Sequence, residues 1–143
     1  MKHVLLFTHG GLSKGFKSAL DVISSNTFQE ITTISLMNED SFEDITNQID
    51  DFFSKVEKDD ICIGCTDIPA GSTTKLLVPY LEKHKNFYMV SGLNLGLLLE
   101  IMLGDPLDNP KDWLRNAIVS SRDTLLFLND MLEKDNKGEE VNK

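Results

Sequence analysis

Short apolar runs alternate with helical stripes along the first hundred residues of this chain. Four runs rich in β-branched and aromatic side chains predict buried strands at 4–7, 31–37, 61–66 and 87–91. Between them, apolar residues recur at helical spacing; the first such stripe comprises Leu12, Phe16, Ala19, Leu20 and Ile23. This alternation predicts an α/β fold: an open, mainly parallel four-stranded sheet with helices on both faces.

Capping residues indicate where several helices begin. Ser41 and Asp44 form a capping box before the second helix, and Ser72 is expected to cap the third. Pro79 should kink or shorten that third helix, because a proline removes one backbone hydrogen bond. Asn109, followed by a proline, predicts the start of a final helix.

The last third of the chain leaves alternatives open. The segment 95–103 is apolar on nearly every side, so we expect it in the core or against another subunit. The final helix either runs on to Leu132 or breaks near Ser121, so that Thr124 to Leu128 pairs as a fifth strand at the sheet edge. We expect one domain over 1–132 and a charged, disordered tail over 133–143.

Composition narrows the classes of function. A chain of 143 residues buries a core without needing disulfides or metals, and its net charge of −9 argues against nucleic-acid binding. No membrane span or signal peptide is recognisable, so we expect a cytoplasmic protein.

Cys62 and Cys65 form a C-x-x-C, but their odd spacing in a strand points them to opposite faces. We therefore expect two buried free thiols rather than a redox or zinc pair.

Polar residues follow the predicted strands at the edge where open parallel sheets bind ligands. These residues are Thr8, His9 and Gly10 after the first strand, Asp67, Gly71 and Ser72 after the third, and Asn94 after the fourth. A carboxylate near an imidazole accepts the Nδ1 proton and leaves Nε2 free as a nucleophile, and a Gly-Ser pair at a helix start suits a phosphate. Singly, each residue is also explained by a cap or a turn. Together they predict a histidine that accepts a phosphoryl group.

The chain resembles the IIA component of mannose-type sugar phosphotransferase systems. The resemblance lies in the segments VLLFTHG at 4–10, TDIPAGST at 66–73 and SGLNLGLLLE at 91–100, and it is weakest after residue 104. It implies roles for a set of residues at the strand ends. These are His9 as the phosphorylated histidine, Asp67 as its carboxylate partner, Gly71, Ser72 and Thr73 as phosphate-binding residues, and Thr8, Gly10 and Asn94 in support.

The chain departs from the family pattern at three positions. The family usually has a glycine where Ala70 stands, and a proline and an asparagine where Thr73 and Lys75 stand. Ala70 would cost about 1 kcal/mol or more if the backbone there needed a positive φ. Lys75 is expected to be a solvated helix residue. Whether Ala70 and Lys75 alter the choice of partner is left open.

The resemblance implies a phosphoryl carrier, a transferase that works through a phosphohistidine without a metal or organic cofactor. The histidine-containing phosphocarrier protein would phosphorylate His9, and His9 would pass the group to a IIB component for sugar uptake through membrane IIC and IID subunits. The resemblance also implies a homodimer, often formed by exchange of a C-terminal strand, and contact with the membrane through the permease partners. The sugar is not specified, because it never touches this component.

Other readings compete with this one. The phosphocarrier subunit of phosphoenolpyruvate-dependent dihydroxyacetone kinase and a non-catalytic regulatory domain of the same fold are the nearest alternatives. A phosphoglycerate-mutase-like phosphatase would need Arg-His-Gly at the first strand, where this chain has Thr8-His9-Gly10. A receiver-like domain phosphorylated on Asp67 would need an acidic pair after the first strand, and that loop has neither Asp nor Glu.

Overall fold

A four-stranded, all-parallel sheet forms the centre of the computed structural model, which describes residues 1–28, 30–106 and 108–133. The order across the sheet is β2-β1-β3-β4. The strands are β1 (Lys2–His9), β2 (Ile31–Leu36), β3 (Ile61–Thr66) and β4 (Phe87–Ser91). The predicted open parallel α/β sheet is confirmed.

Helices connect the strands and cover the sheet. They are α1 (Leu12–Ser24), α2 (Phe42–Ser54), α3 (Ser72–Leu77), α4 (Tyr80–Lys83), α5 (Leu95–Leu103) and α6 (Pro110–Arg122). The capping box of Ser41 and Asp44 is present, and Pro79 separates α3 from α4, as predicted. Over the described stretches, no helix is both long enough and apolar enough to cross a lipid bilayer.

Alternation along the strands divides the core into two clusters, one on each face of the sheet. Val4 and Leu6 pack with α1, α5 and α6, whereas Leu5 and Phe7 pack with α2, α3 and α4. Cys62 and Cys65 are free, buried and on opposite faces, as expected. Burial raises the pKa of Cys62 to about 11 and that of Cys65 to about 12, so both stay protonated at neutral pH.

The predicted cap of α3 at Ser72 is wrong. Gly71 is the N-cap, with an extended backbone, and Ser72 is the first helical residue. The loop before α3 closes on itself, because the Ile68 carbonyl accepts hydrogen bonds from the Gly71 amide at 3.3 Å and the Thr74 hydroxyl at 2.8 Å. The helix therefore starts one residue earlier than a serine cap would place it, and no side chain caps its first turn.

The C-terminal part differs from both alternatives. Helix α6 ends at Arg122, close to the predicted break, but residues 125–127 have no regular structure and residues 128–133 are helical. No described residue of the 124–128 segment lies in a strand. Helix α5 packs into the core of its own chain through Leu97, Leu98 and Ile101. Most of the predicted charged tail, residues 134–143, lies outside the described residues.

Candidate functional site

His9 lies at the open carboxyl edge of the sheet. It is the last residue of β1, and its side chain is 45 % exposed. Gly10 follows with φ +57°, a conformation that glycine adopts without steric cost, and its amide donates to the Leu36 carbonyl at 2.9 Å. This turn leads the chain away into α1 and leaves the imidazole uncovered.

Asp67 meets His9 because their strands are neighbours. The register pairs Phe7 with Thr66, so the residues that follow them lie side by side at the sheet edge. Asp67 Oδ2 accepts two hydrogen bonds from His9, one from the backbone amide at 2.9 Å and one from Nδ1 at 2.7 Å. The carboxylate thus binds both the backbone and the ring of the histidine.

The second carboxylate oxygen of Asp67 is also occupied. Oδ1 accepts hydrogen bonds from the Thr73 hydroxyl at 2.8 Å and the Ile68 amide at 3.2 Å. Burial raises the pKa of Asp67, but the hydrogen bonds from the His9 amide, the His9 ring and Thr73 outweigh this effect. Together they lower the pKa of Asp67 to about 2. Asp67 is therefore ionised at neutral pH, and an ionised carboxylate can only accept hydrogen bonds. The His9 ring must donate in the contact with Asp67, so the ring proton lies on Nδ1.

The remaining ring nitrogen, Nε2, is unprotonated in that tautomer. No described residue donates a hydrogen bond to it. Beside the ring lies Gly71: a Cβ atom at this position would stand 3.0 Å from His9 Cε1 and 2.7 Å from Ile68 Cγ1. Ser72, the next residue, is exposed. Gly71 thus lies beside the Cε1 atom of the imidazole, and the exposed Ser72 follows it in the chain.

Three predicted site residues form hydrogen bonds with residues other than His9. The Thr73 side chain is fully buried, and its hydroxyl binds Asp67. Thr8 is also buried, and its hydroxyl accepts from the Ser13 amide at 2.7 Å. Asn94 caps α5 by accepting from the Leu97 amide at 2.9 Å. Neither Thr8 nor Asn94 hydrogen-bonds His9, so their observed contacts are structural.

A cluster of hydroxyl groups behind Asp67 was missed at the sequence level. The Thr66 hydroxyl lies 2.7 Å from the Thr74 hydroxyl and 2.7 Å from the Ser91 hydroxyl. These bonds tie the start of α3 to the ends of β3 and β4. The sequence shows a hydroxyl residue at the end of β3 and another at the end of β4. Single Ser and Thr residues at strand ends are too common to indicate a cluster.

The positions that depart from the family pattern fit the backbone without strain. Ala70 has no positive φ; the non-glycine residues of the described chain that do are Ser25 and Asn26. The backbone at position 70 does not need a positive φ, so alanine causes no loss of stability there. Lys75 is exposed on α3.

The other two histidines lie far from His9. His3 is mostly buried, and its Nε2 lies 2.9 Å from Asp60 Oδ2. The Glu57 amide, His3 and the N-terminus lower the pKa of Asp60 to about 2. His3 is six residues before His9 on the same strand, which places them roughly 20 Å apart. His84 stacks on Phe53 with ring centroids 3.9 Å apart.

The fold and the site together define a class of protein. It is a parallel α/β domain with a half-exposed imidazole whose tautomer is set by an ionised carboxylate. Within the described residues, no three His, Cys, Asp or Glu side chains are grouped so as to bind a metal ion. Such a site supports nucleophilic attack by a histidine nitrogen.

The chain belongs to the mannose-type IIA family of sugar phosphotransferase systems. The family model described as PTS system fructose IIA component matches residues 3–119. Membership of this family makes the chain a phosphotransferase component of such a system. A comparison with curated proteins found no match.

Several solved structures share the fold. Phosphotransferase system component EIIA from Streptococcus agalactiae superposes with a TM-score of 0.80 at 19 % identity, over 91 % of this chain and 99 % of that one. A putative phosphoenolpyruvate-dependent sugar phosphotransferase system permease from Klebsiella pneumoniae gives 0.77 at 25 % identity, over 92 % and 93 % of the two chains. The mannose/sorbose specific IIA subunit from Enterococcus faecalis gives 0.77 at 15 % identity, over 89 % and 95 %.

Proposed function

We propose that His9 accepts a phosphoryl group on Nε2 from the histidine-containing phosphocarrier protein and passes it to a IIB component, which phosphorylates a sugar during uptake. The observation that carries this proposal is the 2.7 Å contact between His9 Nδ1 and Asp67 Oδ2. It assigns the proton to Nδ1 and leaves the lone pair of Nε2 directed away from the carboxylate, at an exposed edge of the sheet.

The transfer needs no other reactant. The Nε2 lone pair attacks phosphorus while the N–P bond of the donor phosphohistidine breaks, and its electron pair returns to the donor imidazole. The His9 ring becomes cationic as the new bond forms, and the ionised Asp67 stabilises that charge through Nδ1–H. The reverse sequence, with a nucleophile of the IIB component as acceptor, releases the group again. Neither step calls for a metal or an organic cofactor.

Gly71 and Ser72 are proposed to bind the transferred group. Gly71 lies against the His9 ring so closely that an added Cβ atom would stand 3.0 Å from His9 Cε1 and 2.7 Å from Ile68 Cγ1. Ser72 follows Gly71 as the first residue of α3 and is exposed. A phosphoryl group on Nε2 could accept hydrogen bonds from the Ser72 hydroxyl and from the uncapped amides around it.

The exposure of His9 fits transfer between proteins. Its side chain is 45 % exposed at the sheet edge, so the histidine of another protein can approach it without the opening of a lid. The membrane IIC and IID subunits are reached only indirectly, through the IIB component. We propose that any association with the membrane depends on these partners.

We also propose a homodimer formed through the C-terminal segment 125–132. Apolar side chains of this segment remain in solvent, including Leu125 at 91 % and Phe127 at 66 % exposure. Strand β4 pairs only with β3 within the described sheet, which leaves its other edge unpaired. A cavity of about 540 Å³ beside that edge is lined by apolar side chains, including Tyr88, Leu114 and Ile118, and by Lys85, Lys111 and Arg115. The segment of a second copy would find apolar side chains there with cations beside them.

The dihydroxyacetone kinase alternative gains no support from the comparisons, in which the family model and the structures cited are all from phosphotransferase systems. A regulatory domain of the same fold would not carry phosphate. The regulatory alternative therefore predicts no phosphorylation in the experiment that tests the proposal. The kinase subunit would also be phosphorylated, and neighbouring genes for sugar IIB, IIC and IID components rather than for kinase subunits would separate the two.

That experiment is incubation of the purified protein with phosphoenolpyruvate, enzyme I and the histidine phosphocarrier. We expect one added phosphoryl group by intact mass, labile in acid and stable in alkali. His9→Ala should abolish it, whereas His3→Ala and His84→Ala should not, because both lie away from the site. Persistent labelling of the His9 variant would refute the proposal.

A further inference from the structure

Asp67 is held by more contacts than its pairing with His9 requires. Its two carboxylate oxygens accept four hydrogen bonds: two from His9 on Oδ2, and two from Thr73 and Ile68 on Oδ1. Both oxygens are occupied by donors that fix the plane of the carboxylate. The side chain is 11 % exposed, so water competes little for these positions.

Among the described residues, Thr73 is the one side chain other than His9 that donates a hydrogen bond to Asp67. It is the second residue of α3, it is fully buried, and its hydroxyl donates to Asp67 Oδ1 at 2.8 Å. Burial and the hydrogen bond to Asp67 hold this hydroxyl in place. Because it is buried and its hydroxyl is engaged with the carboxylate, Thr73 does not face the open surface where a phosphoryl group would lie.

We infer that Thr73 is a positioning residue: its hydroxyl orients Asp67 so that Oδ2 faces His9 Nδ1, and it thereby maintains the nucleophilic tautomer. This inference rests on the proposed role of His9. Without the hydroxyl, Oδ1 would keep only the 3.2 Å bond from the Ile68 amide, which comes from the adjacent residue and constrains the side chain less. The carboxylate could then rotate away from the ring.

The inference predicts that removing the hydroxyl changes His9 itself. Thr73→Val keeps the shape of the side chain and removes the donor, whereas Thr73→Ser keeps the donor and removes a methyl group. Thr74→Val is the matched control, because the Thr74 hydroxyl binds the Ile68 carbonyl and the Thr66 hydroxyl but not Asp67. Thr73→Ala tests the same point should the valine variant fold poorly.

Two measurements separate positioning from mere packing. The first is the ¹⁵N chemical shifts of the His9 ring in the unphosphorylated protein, which report the population of the Nδ1–H tautomer. The second is the rate of phosphoryl acceptance from the carrier. For Thr73→Val we expect a smaller Nδ1–H population and acceptance about tenfold slower, the equivalent of one hydrogen bond to a charged group. Thr73→Ser and Thr74→Val should resemble the wild type in both measurements.

Each outcome decides the question. An unchanged tautomer population in Thr73→Val or Thr73→Ala would overturn the inference, even if the variant were less stable, because the hydroxyl would then serve packing alone. Failure of Thr73→Ser to restore the tautomer would overturn it as well. If the wild type accepts no phosphate while the tautomer still responds to Thr73, the proposed function fails and the positioning role stands, since the NMR measurement needs no phosphoryl donor.

Discussion

Asp67 Oδ2 accepts hydrogen bonds from both the backbone amide and the Nδ1 atom of His9, at 2.9 and 2.7 Å, although the two residues are 58 positions apart in the chain. The double contact fixes the ring relative to its own strand. A single bond to Nδ1 would set the tautomer but leave the ring direction to the rotamer of His9. The geometry therefore defines both which nitrogen reacts and where it points.

Replacing the carboxylate by an amide should impair transfer. The carboxylate of Asp67 accepts two hydrogen bonds on each oxygen, whereas the amide of Asp67→Asn has one oxygen that accepts and one NH₂ group that donates. Its NH₂ group must therefore face either the two donors of His9 or the donors of Thr73 and Ile68. We expect phosphoryl acceptance slower by a factor on the order of 10² in a folded protein. Rapid-quench kinetics with circular dichroism would check this. Wild-type rates in a folded variant would reduce Asp67 to a structural residue.

Crowding the space beside the ring should also slow transfer. In Gly71→Ala, the new methyl group would meet Ile68 Cγ1 at 2.7 Å and His9 Cε1 at 3.0 Å, so a side chain must shift. Because Ile68 is half exposed it can move, and we expect a modest loss of stability but slower phosphoryl acceptance. Gly15→Ala is the control: it lies in α1 with nothing within 4 Å of the added atom, and should stabilise by about 0.5–1 kcal/mol without affecting acceptance. Equal acceptance by both variants would argue against a site at Gly71.

A negative charge at Ser72 should separate folding from function. Ser72 is the first residue of α3, where an acidic side chain interacts favourably with the helix dipole. Ser72→Asp should thus keep its melting temperature, yet repel a phosphoryl group on His9 and lose acceptance. Ser72→Asn, of the same size and uncharged, should accept phosphate far better. If the aspartate variant accepts as fast as the wild type, the phosphate site lies elsewhere.

The low pKa of Asp67 predicts a loss of stability in acid. Its folded pKa is about 2 against an ordinary value of 3.8, so the ionised form stabilises the fold above pH 4. That contribution, about 1–2 kcal/mol, is lost as the pH falls from the ordinary value of 3.8 through the folded pKa of about 2. Urea unfolding at pH 6 and pH 3 should show a smaller drop for Asp67→Asn than for the wild type. Because Asp60 acts in the same direction, Asp60→Asn provides the comparison; an identical drop in the wild type and Asp67→Asn would contradict the prediction.

Two charges in the exposed C-terminal segment should prevent dimerisation. Leu125→Asp combined with Phe127→Asp places carboxylates on the apolar surface proposed to cover a second copy. We expect sedimentation at the mass of two chains for the wild type and of one chain for the variant. Val22→Asp, at a side chain 79 % exposed on α1, is the control and should remain dimeric. A monomeric wild type would refute the proposed interface.

The amino-acid sequence by itself determined the order of strands and helices as far as α6, but not the segment that follows Arg122. Each strand and helix carries its own periodicity, and local signals such as Ser41 with Asp44 and Pro79 act within a few residues, so they can be recognised without a fold. The sequence also indicated His9 and Asp67 as partners, because parallel strands bring their carboxyl ends to one edge.

Only the tertiary structure decided the contacts that make the site. Packing across the whole sheet places β1 beside β3. Because the two strands are neighbours, His9 Nδ1 and Asp67 Oδ2 come within hydrogen-bond distance. The start of α3 at Gly71 depends on how the loop after Asp67 closes, which overrides the local preference of serine for a cap. The turn of Thr73 towards Asp67 has the same origin: a hydroxyl shows in the sequence, but the atom it binds is determined by residues that come together only on folding.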